Sequence, residues 1–357
     1  MLAAGMAGGV GAIFRAPLAG ALFAGEILYR EGDIESDVVV PAAISSIVSY
    51  SVYSLFMPAD AAFLPLFGNG LHYQMSSLAE LLPMALMSIV LVLAAVIYIR
   101  TFYGLHKLSR KITIVPNFVK PAIGAVLAGL IGVGLHLACD KGDSHAMLAV
   151  LSTGYGSLQT ALEDPAKLGI GALLLIAGGK VLTTSLTIST GGSGGVFGPS
   201  MVIGGCVGAA LGLWFQDLFG IQTEPGAFAI IGMAGFFAGA AHAPISTIIM
   251  VSEMTGDYKL LLPTMWVSTL CFLLCRRWTL YEKQVPTRLE SPAHKGDFIV
   301  DVLEGNLVKD VFQKHANIRR VPESTSLDDI VHILAETHQH YFPVVDNDGK
   351  MVGIFSD

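Results

Sequence analysis

Gly191-Gly192-Ser193-Gly194-Gly195-Val196-Phe197-Gly198-Pro199-Ser200 lies inside a run with no charged residue from Val181 to Gln216. Five glycines and a proline in so short a stretch break a membrane helix. Lipid offers no partner to a broken backbone, so the break must be buried in protein or line a wet cavity. Pro199 suits the first turn of a helix, where its missing N–H costs nothing. The glycines before it allow a close backbone approach. A helix N-terminus presents free N–H groups and roughly half a positive charge, which at mid-membrane makes an anion site. The competing reading of GGSGG is a close-packed glycine interface between helices, and the VFGP that follows favours the anion site.

Working outward, the chain is 53% hydrophobic and 14% charged, with mean hydropathy +0.63. Soluble domains carry about 25% charged residues. Charge-free windows run from Val38 to Ala59, Leu81 to Ile99, Pro121 to Cys139, Val181 to Gln216 and Pro225 to Ser252, with a shorter one from Leu260 to Cys275. Each of the long ones suffices to cross a bilayer. Arg100, Lys107, Arg110, Lys111 and Lys120 read as a loop after the second long window, and Arg276 and Arg277 close the last. Both places read as cytoplasmic. The four cysteines, Cys139, Cys206, Cys271 and Cys275, lack metal spacing and read as small apolar packing residues. His72, His136, His294 and His315 lack ligand spacing. No basic stripe interleaved with aromatics points to nucleic acid.

The sequence repeats itself. Gly5-Met6-Ala7-Gly8 recurs as Gly232-Met233-Ala234-Gly235, Ala16-Pro17 as Ala243-Pro244, and Glu26 as Glu253, all at one offset of 227 residues, with Arg15 facing His242. Many transporters are built from two such repeats with the site at their interface. On this offset the first half's own glycine-rich break would precede Met1, so the chain reads as a piece of a longer protein. A lone acid in a membrane helix needs a partner; Glu26 and Glu253 read as structural acids, and the sequence names no partner for either. From about Ser291 the composition turns polar. Leu327–Leu334 reads as an amphipathic helix starting at Ser326, Tyr341–Asp346 and Met351–Phe355 as strands around an Asn347-Asp348-Gly349 turn. One helix and a hairpin are too little for an independent core, so this end too reads as truncated. The expected division is a membrane unit over 1–290 and a linker with a partial domain over 291–357. Asp346 and Asp348 read as turn residues.

These motifs resemble the CLC chloride channels and chloride/proton antiporters. GGVFGP at 194–199 resembles the family's second-half anion motif, AIFRAPLAGALFAGE at 12–26 and AGAAHAPISTIIMVSEMTGDY at 238–258 its paired short helices, and Tyr281 its pore tyrosine. The tail, ending in GIFSD, resembles the opening of a CBS domain. The resemblance implies an all-α polytopic membrane protein of inverted-repeat architecture with broken and tilted helices, plus a partial α/β CBS segment. It implies a homodimer in the lipid bilayer of a cell or inner membrane, with the CBS segment cytoplasmic. It implies a voltage-gated-type chloride channel or transporter, not an enzyme, that needs no cofactor for transport. A complete CBS pair could bind an adenine nucleotide, although no nucleotide residue can be assigned here. The backbone N–H groups of Val196 and Phe197 and the Tyr281 hydroxyl would bind chloride, with Gly194, Gly195, Gly198 and Pro199 shaping the loop. Such donors carry no fixed charge, so an anion binds and leaves.

Three departures qualify the resemblance. The family's first-half anion loop and gating glutamate are absent from the chain, so residues 1–357 alone are expected not to conduct. Antiporters of the family commonly carry a proton glutamate where this chain has Ile27, which points toward an uncoupled channel, with a proton-coupled antiporter as the alternative. The CBS segment is incomplete. Two readings from other classes remain. Gly191-Gly192-Ser193-Gly194 matches an intramembrane serine protease motif, with Ser193 as nucleophile and His242 as base. A CBS-gated cation transporter would need acids along its path, and the apolar runs hold few.

Overall fold

The protein is described by a computed structural model covering residues 1–59, 61–67, 71, 73–138, 144–294, 318–337 and 339–356. Cys139, His72, His315 and the terminal Asp357 fall outside those residues. Two compact units divide the chain, Met1–His294 and Lys295–Asp357.

The first unit is helical: α1 (Leu2–Ile13), α2 (Pro17–Glu26), α3 (Ser36–Leu55), α4 (Leu81–Lys111), α5 (Lys120–Ala138), α6 (Tyr155–Glu163), α7 (Gly169–Ser189), α8 (Phe197–Phe219), α9 (Pro225–Ala241), α10 (Pro244–Thr255) and α11 (Leu261–Leu274). Among the described residues, α3, α5, α7, α8 and the stretch Leu78–Lys111 are long and apolar enough to cross a membrane. On α4 the apolar residues sort onto two faces. Met84, Met87, Leu91, Ala95 and Tyr98 are buried, whereas Leu82, Leu86, Ile89, Leu93 and Ile97 stand exposed at helical spacing. That exposed stripe suits lipid.

Helix α4 corrects the sequence reading at its far end. Arg100, Lys107, Arg110, Lys111 and Lys120 are not loop residues; the helix runs through the first four to Lys111, and Lys120 opens α5. The 31 residues of α4 extend about 46 Å, beyond a ~30 Å hydrocarbon core. Lys and Arg are good helix formers, and their charge is favoured at a helix C-terminus.

The repeat is visible in the backbone. The offset of 227 carries α2, beginning at Pro17, onto α10, beginning at Pro244. Arg15 and His242 share left-handed geometry, with φ of 52° and 59°. The next residues match as well, Ala16 at φ −131°, ψ 71° and Ala243 at φ −130°, ψ 67°. Each half therefore ends one helix at a left-handed residue and begins a short one at a proline.

Those short helices begin among apolar residues, where their free N–H groups need acceptors. The acceptor comes from the other half. Both Glu26 oxygens are used: Oε1 accepts from Ile245 N–H at 2.9 Å, Oε2 from Ser246 N–H at 2.7 Å and the Ser246 hydroxyl at 2.6 Å. Reciprocally, Glu253 accepts from Ala19 N–H at 2.8 Å and Leu18 N–H at 3.2 Å. Each acid sits near the end of one short helix and caps the start of the other.

Glycine sets the approach of α8 to α9. A Cβ on Gly208 would lie 2.2 Å from the Phe228 carbonyl oxygen, and one on Gly232 2.4 Å from that of Gly204. Beyond α11, the chain returns along the loop after α2. Arg30 N–H donates to Val285 at 2.9 Å and Glu31 N–H to Pro286 at 3.0 Å. Glu35, buried there, receives the Tyr29 hydroxyl, His294 at 2.7 Å and Arg288 at 3.3 Å. Burial, then the Glu35 bond, pushes the Tyr29 hydroxyl up to about 12.

In the second unit, β1 (Val321–Pro322) pairs parallel with β2 (Tyr341–Val345), which pairs antiparallel with β3 (Met351–Ser356). Helix α12 (Leu327–Glu336) starts at Ser326, whose hydroxyl accepts from Asp329 N–H at 3.2 Å. Asp346 Oδ1 accepts from Asp348 and Lys350 N–H groups across the turn.

The caps differ in burial. Glu26 is 1% exposed and has three donors, whereas Glu253 is half-buried and has two. Glu26→Ala is expected to cost about 2–4 kcal/mol by leaving those donors unmet, and Glu253→Ala about 1–2 kcal/mol. Thermal unfolding in detergent checks the order; equal, negligible shifts would contradict it.

Candidate functional site

The loop between α7 and α8 is shaped at its beginning. Gly191 has φ +99°, the left-handed side that glycine tolerates. Gly191 N–H donates to Ile188 at 3.0 Å and Gly192 N–H to Thr187 at 2.9 Å, closing the end of α7. A Cβ on Gly192 would lie 2.7 Å from the Thr187 carbonyl oxygen, whereas Gly195 has nothing within 4 Å. The constrained glycines are thus 191 and 192. Gly194 and Gly195, expected to shape the site, are exposed and line a cavity of about 500 Å³ with Ser193 and Pro199.

Helix α8 then begins at Phe197 with Val196 as its cap, and Pro199 is its third residue. The first turn closes through Val196, whose carbonyl accepts both the Ser200 N–H at 3.1 Å and the Ser200 hydroxyl at 2.6 Å. The Phe197 and Gly198 N–H groups precede that ladder and face forward, as first-turn donors must. Gly198 fits under a tyrosine: a Cβ there would stand 3.1 Å from the Tyr155 hydroxyl.

Phe197 fixes where those donors sit. Its ring centroid lies 4.2 Å from Phe14, 4.2 Å from Phe237 and 5.6 Å from Phe23. Phe14 caps α1, Phe23 lies on α2 and Phe237 on α9. The start of α8 is therefore held by aromatic contacts to both repeats. Sequence reasoning missed Phe14, Phe23 and Phe237, because nothing in their spacing marks them.

Tyr281 follows α11 and is half-buried. Its N–H donates to Thr279 Oγ1 at 3.1 Å. Its neighbour Leu280 donates to the Ala240 carbonyl at 2.8 Å and accepts the Tyr103 hydroxyl at 2.7 Å. Val196, Phe197 and Tyr281 pack against one contiguous apolar core. So does Ile27, whose carbonyl accepts Gln284 Nε2 at 2.9 Å. Tyr98 on α4 is fully buried, and its hydroxyl finds no partner among the described residues.

Lys180 was also missed. It is 2% exposed within α7, its ammonium donates to the carbonyls of Ala149 (3.2 Å) and Ser152, and it lines the same cavity as Gly194 and Gly195. The available signal was its position immediately before the charge-free run. Thr183 and Thr184 line the cavity beside it. A buried cation, hydroxyls and a helix N-terminus together favour an anion over a cation.

His242 does not serve Ser193. Nδ1 lies 3.1 Å from the Arg30 carbonyl, and Nε2 lies 3.0 Å from that of Trp278 and 3.3 Å from that of Cys275. Neither nitrogen is left for a nucleophile. Cys206, Cys271 and Cys275 are buried and unbridged. Among the described residues, no group of three or more His, Cys, Asp or Glu could hold a metal ion.

Comparison with known proteins adds family and fold. The model for voltage gated chloride channels matches residues 1–276, and that for CBS domains residues 308–357. The chain is 31% identical over 273 residues to the H(+)/Cl(-) exchange transporter ClcA of Vibrio parahaemolyticus, covering 74% of this chain and 53% of that one. It is 31% identical over 267 residues to the voltage-gated ClC-type chloride channel ClcB of Shigella flexneri, covering 73% and 57%. The chain thus spans little more than half the length of these curated relatives. A solved CLC-type fluoride/proton antiporter has the same fold, with TM-score 0.62, 20% identity, and coverage of 79% of this chain and 64% of that one.

The two glycine environments separate in a test. Gly192→Ala is expected to destabilise the protein by about 1–3 kcal/mol, because the new methyl meets backbone. Gly195→Ala is expected to leave the unfolding temperature unchanged. Thermal unfolding of both variants decides, and equal losses would refute the assignment.

Proposed function

Because the chain belongs to the voltage-gated chloride channel family, we propose that it carries chloride across a membrane by proton-linked exchange, with an anion held at the start of α8. The observation that carries this reading is the geometry of that start. The Val196, Phe197 and Gly198 N–H groups all precede the first hydrogen bond of the helix, Ser200 N–H to Val196, and the Phe197 ring is packed against both repeats. The backbone donors at Val196 and Phe197, with the Tyr281 hydroxyl, bind the ion. None carries a full charge, so the ion is released as readily as it binds. Gly194, Gly195, Gly198 and Pro199 keep side-chain bulk and a competing N–H away from it. Lys180 adds positive potential from the cavity wall.

Exchange is favoured over a channel by the relatives. The first of them is named as an H(+)/Cl(-) exchanger, although ClcB is named as a channel. Ile27 argues the other way, since isoleucine binds no proton. A proton can travel by another group or through water, so Ile27 alone does not exclude coupling. The protease reading fails on His242, and the cation reading on the donors at the site. Residues 1–290 carry transport in this account, and residues 291–357 regulate it from the cytoplasm as part of a CBS pair that binds an adenine nucleotide. The working unit is a homodimer in a cell or inner membrane.

The test is the native protein in chloride-loaded liposomes under an imposed proton gradient. Chloride efflux is expected to drive protons uphill. Flux without linked protons would return the channel reading, and the absence of anion flux would overturn the function. Tyr281→Phe is expected to weaken chloride binding about 2–10-fold, the worth of one hydrogen bond among several.

A further inference from the structure

The junction of α9 and α10 holds a titratable group that anion binding leaves unused. His242 is fully buried, and its ring nitrogens meet three backbone carbonyls, those of Arg30, Trp278 and Cys275. Carbonyls only accept. A neutral imidazole has one N–H and one lone pair, so in either tautomer one nitrogen faces an oxygen lone pair to lone pair. The imidazolium satisfies every contact. Its repeat counterpart shows the same preference, since Arg15 donates to the carbonyls of Ala61 at 3.0 Å and Leu64 at 3.2 Å. Arg15 keeps its charge permanently, whereas His242 can lose it.

Of the charges around His242, the Arg30 guanidinium opposes the proton. Arg30, whose carbonyl faces Nδ1, carries a guanidinium that donates to the Arg276 carbonyl at 3.1 Å. Arg276 in turn pairs with Glu31 at 3.3 Å. Glu26, at the end of α2, is engaged by Ile245 and Ser246 of α10. From α11 and beyond come the Cys275 thiol, 3.4 Å from the Trp278 carbonyl, and the Phe272 ring, edge-on at 5.6 Å. Burial and Arg30 disfavour the cation, while the three carbonyls favour it.

The proton's effect has a structural outlet. Two of the carbonyls belong to the segment that leads from α11 to Tyr281. Gln284 Nε2 bridges the Ile27 carbonyl at 2.9 Å and the Ala241 carbonyl at 3.0 Å, so His242 adjoins the end of α2, where Ile27 offers no ionisable group.

We propose that His242 is the proton-binding, positioning residue of the exchange cycle: a proton taken up on its second ring nitrogen fastens the Trp278 and Arg30 carbonyls together and sets the segment carrying Tyr281, and its loss from that nitrogen frees it. This rests on the proton-linked reading of the anion site.

The experiment compares the native protein with His242→Arg and His242→Gln in liposomes, measuring chloride flux between about pH 5 and pH 8 and protons moved per chloride. Native flux is expected to change with pH. His242→Arg, which keeps the donors and never releases the proton, is expected to retain flux, lose that pH dependence and cut proton movement at least ~10-fold. His242→Gln is expected to lose the pH dependence as well. Native-like pH profile and proton movement in His242→Arg would make the residue structural and overturn the proposal. Native chloride flux with no linked protons would instead sink the exchange reading; a native pH profile abolished in both variants would still mark His242 as the proton-binding residue. If neither variant folds, the imidazole nitrogen resonances of the native protein decide, and a ring that does not titrate in this range refutes the idea.

Discussion

The structure depends on two carboxyl groups exchanged between its halves. Helices α2 and α10 have only 10 and 12 residues, too few to span a bilayer. Each begins inside apolar protein after a left-handed turn. A helix that starts there leaves N–H groups that neither lipid nor a hydrophobic core can satisfy. Glu26 and Glu253 supply the acceptors, each from the helix that the other one caps. The same bonds that permit the breaks also fasten the two repeats together. A substitution at either acid therefore loosens a helix start and an interface at once.

Around that exchange the packing is close. Glycines on α8 and α9 bring backbone against backbone, leaving no space for a methyl group at positions 208 and 232. The start of α8 is then held by Phe14, Phe23 and Phe237. Donors aimed at an ion are useful only if they are fixed before the ion arrives, because reordering them would consume the binding energy. The aromatic cluster provides that fixity, and Leu280, tied to Ala240, provides it for Tyr281.

Much of this was legible in the sequence, and what was not has physical reasons. The repeat could be read because small residues and prolines recur at one offset, and such residues are demanded by backbone geometry. The N-cap of α12 could be read because Ser326 is itself the capping group. The partners of Glu26 and Glu253 could not be read, since they are backbone N–H groups that every residue but proline possesses. Lys180 could not be read as buried, since a lysine that borders a charge-free run has the same signature as a residue at the membrane surface. The end of α4 was misplaced because charge marks the membrane boundary, and the helix does not stop there. Glycine composition located the α7–α8 loop; only the structure distinguishes Gly191 and Gly192, which the backbone requires, from Gly194 and Gly195, which open on the cavity.

The proposed anion site joins the start of α8 to Tyr281. The most direct measurement is anomalous diffraction from crystals of the native protein grown in bromide. A bromide peak is expected within hydrogen-bonding reach of the Phe197 N–H and the Tyr281 hydroxyl. Bromide ordered elsewhere in the protein, with none at the start of α8, would contradict that site.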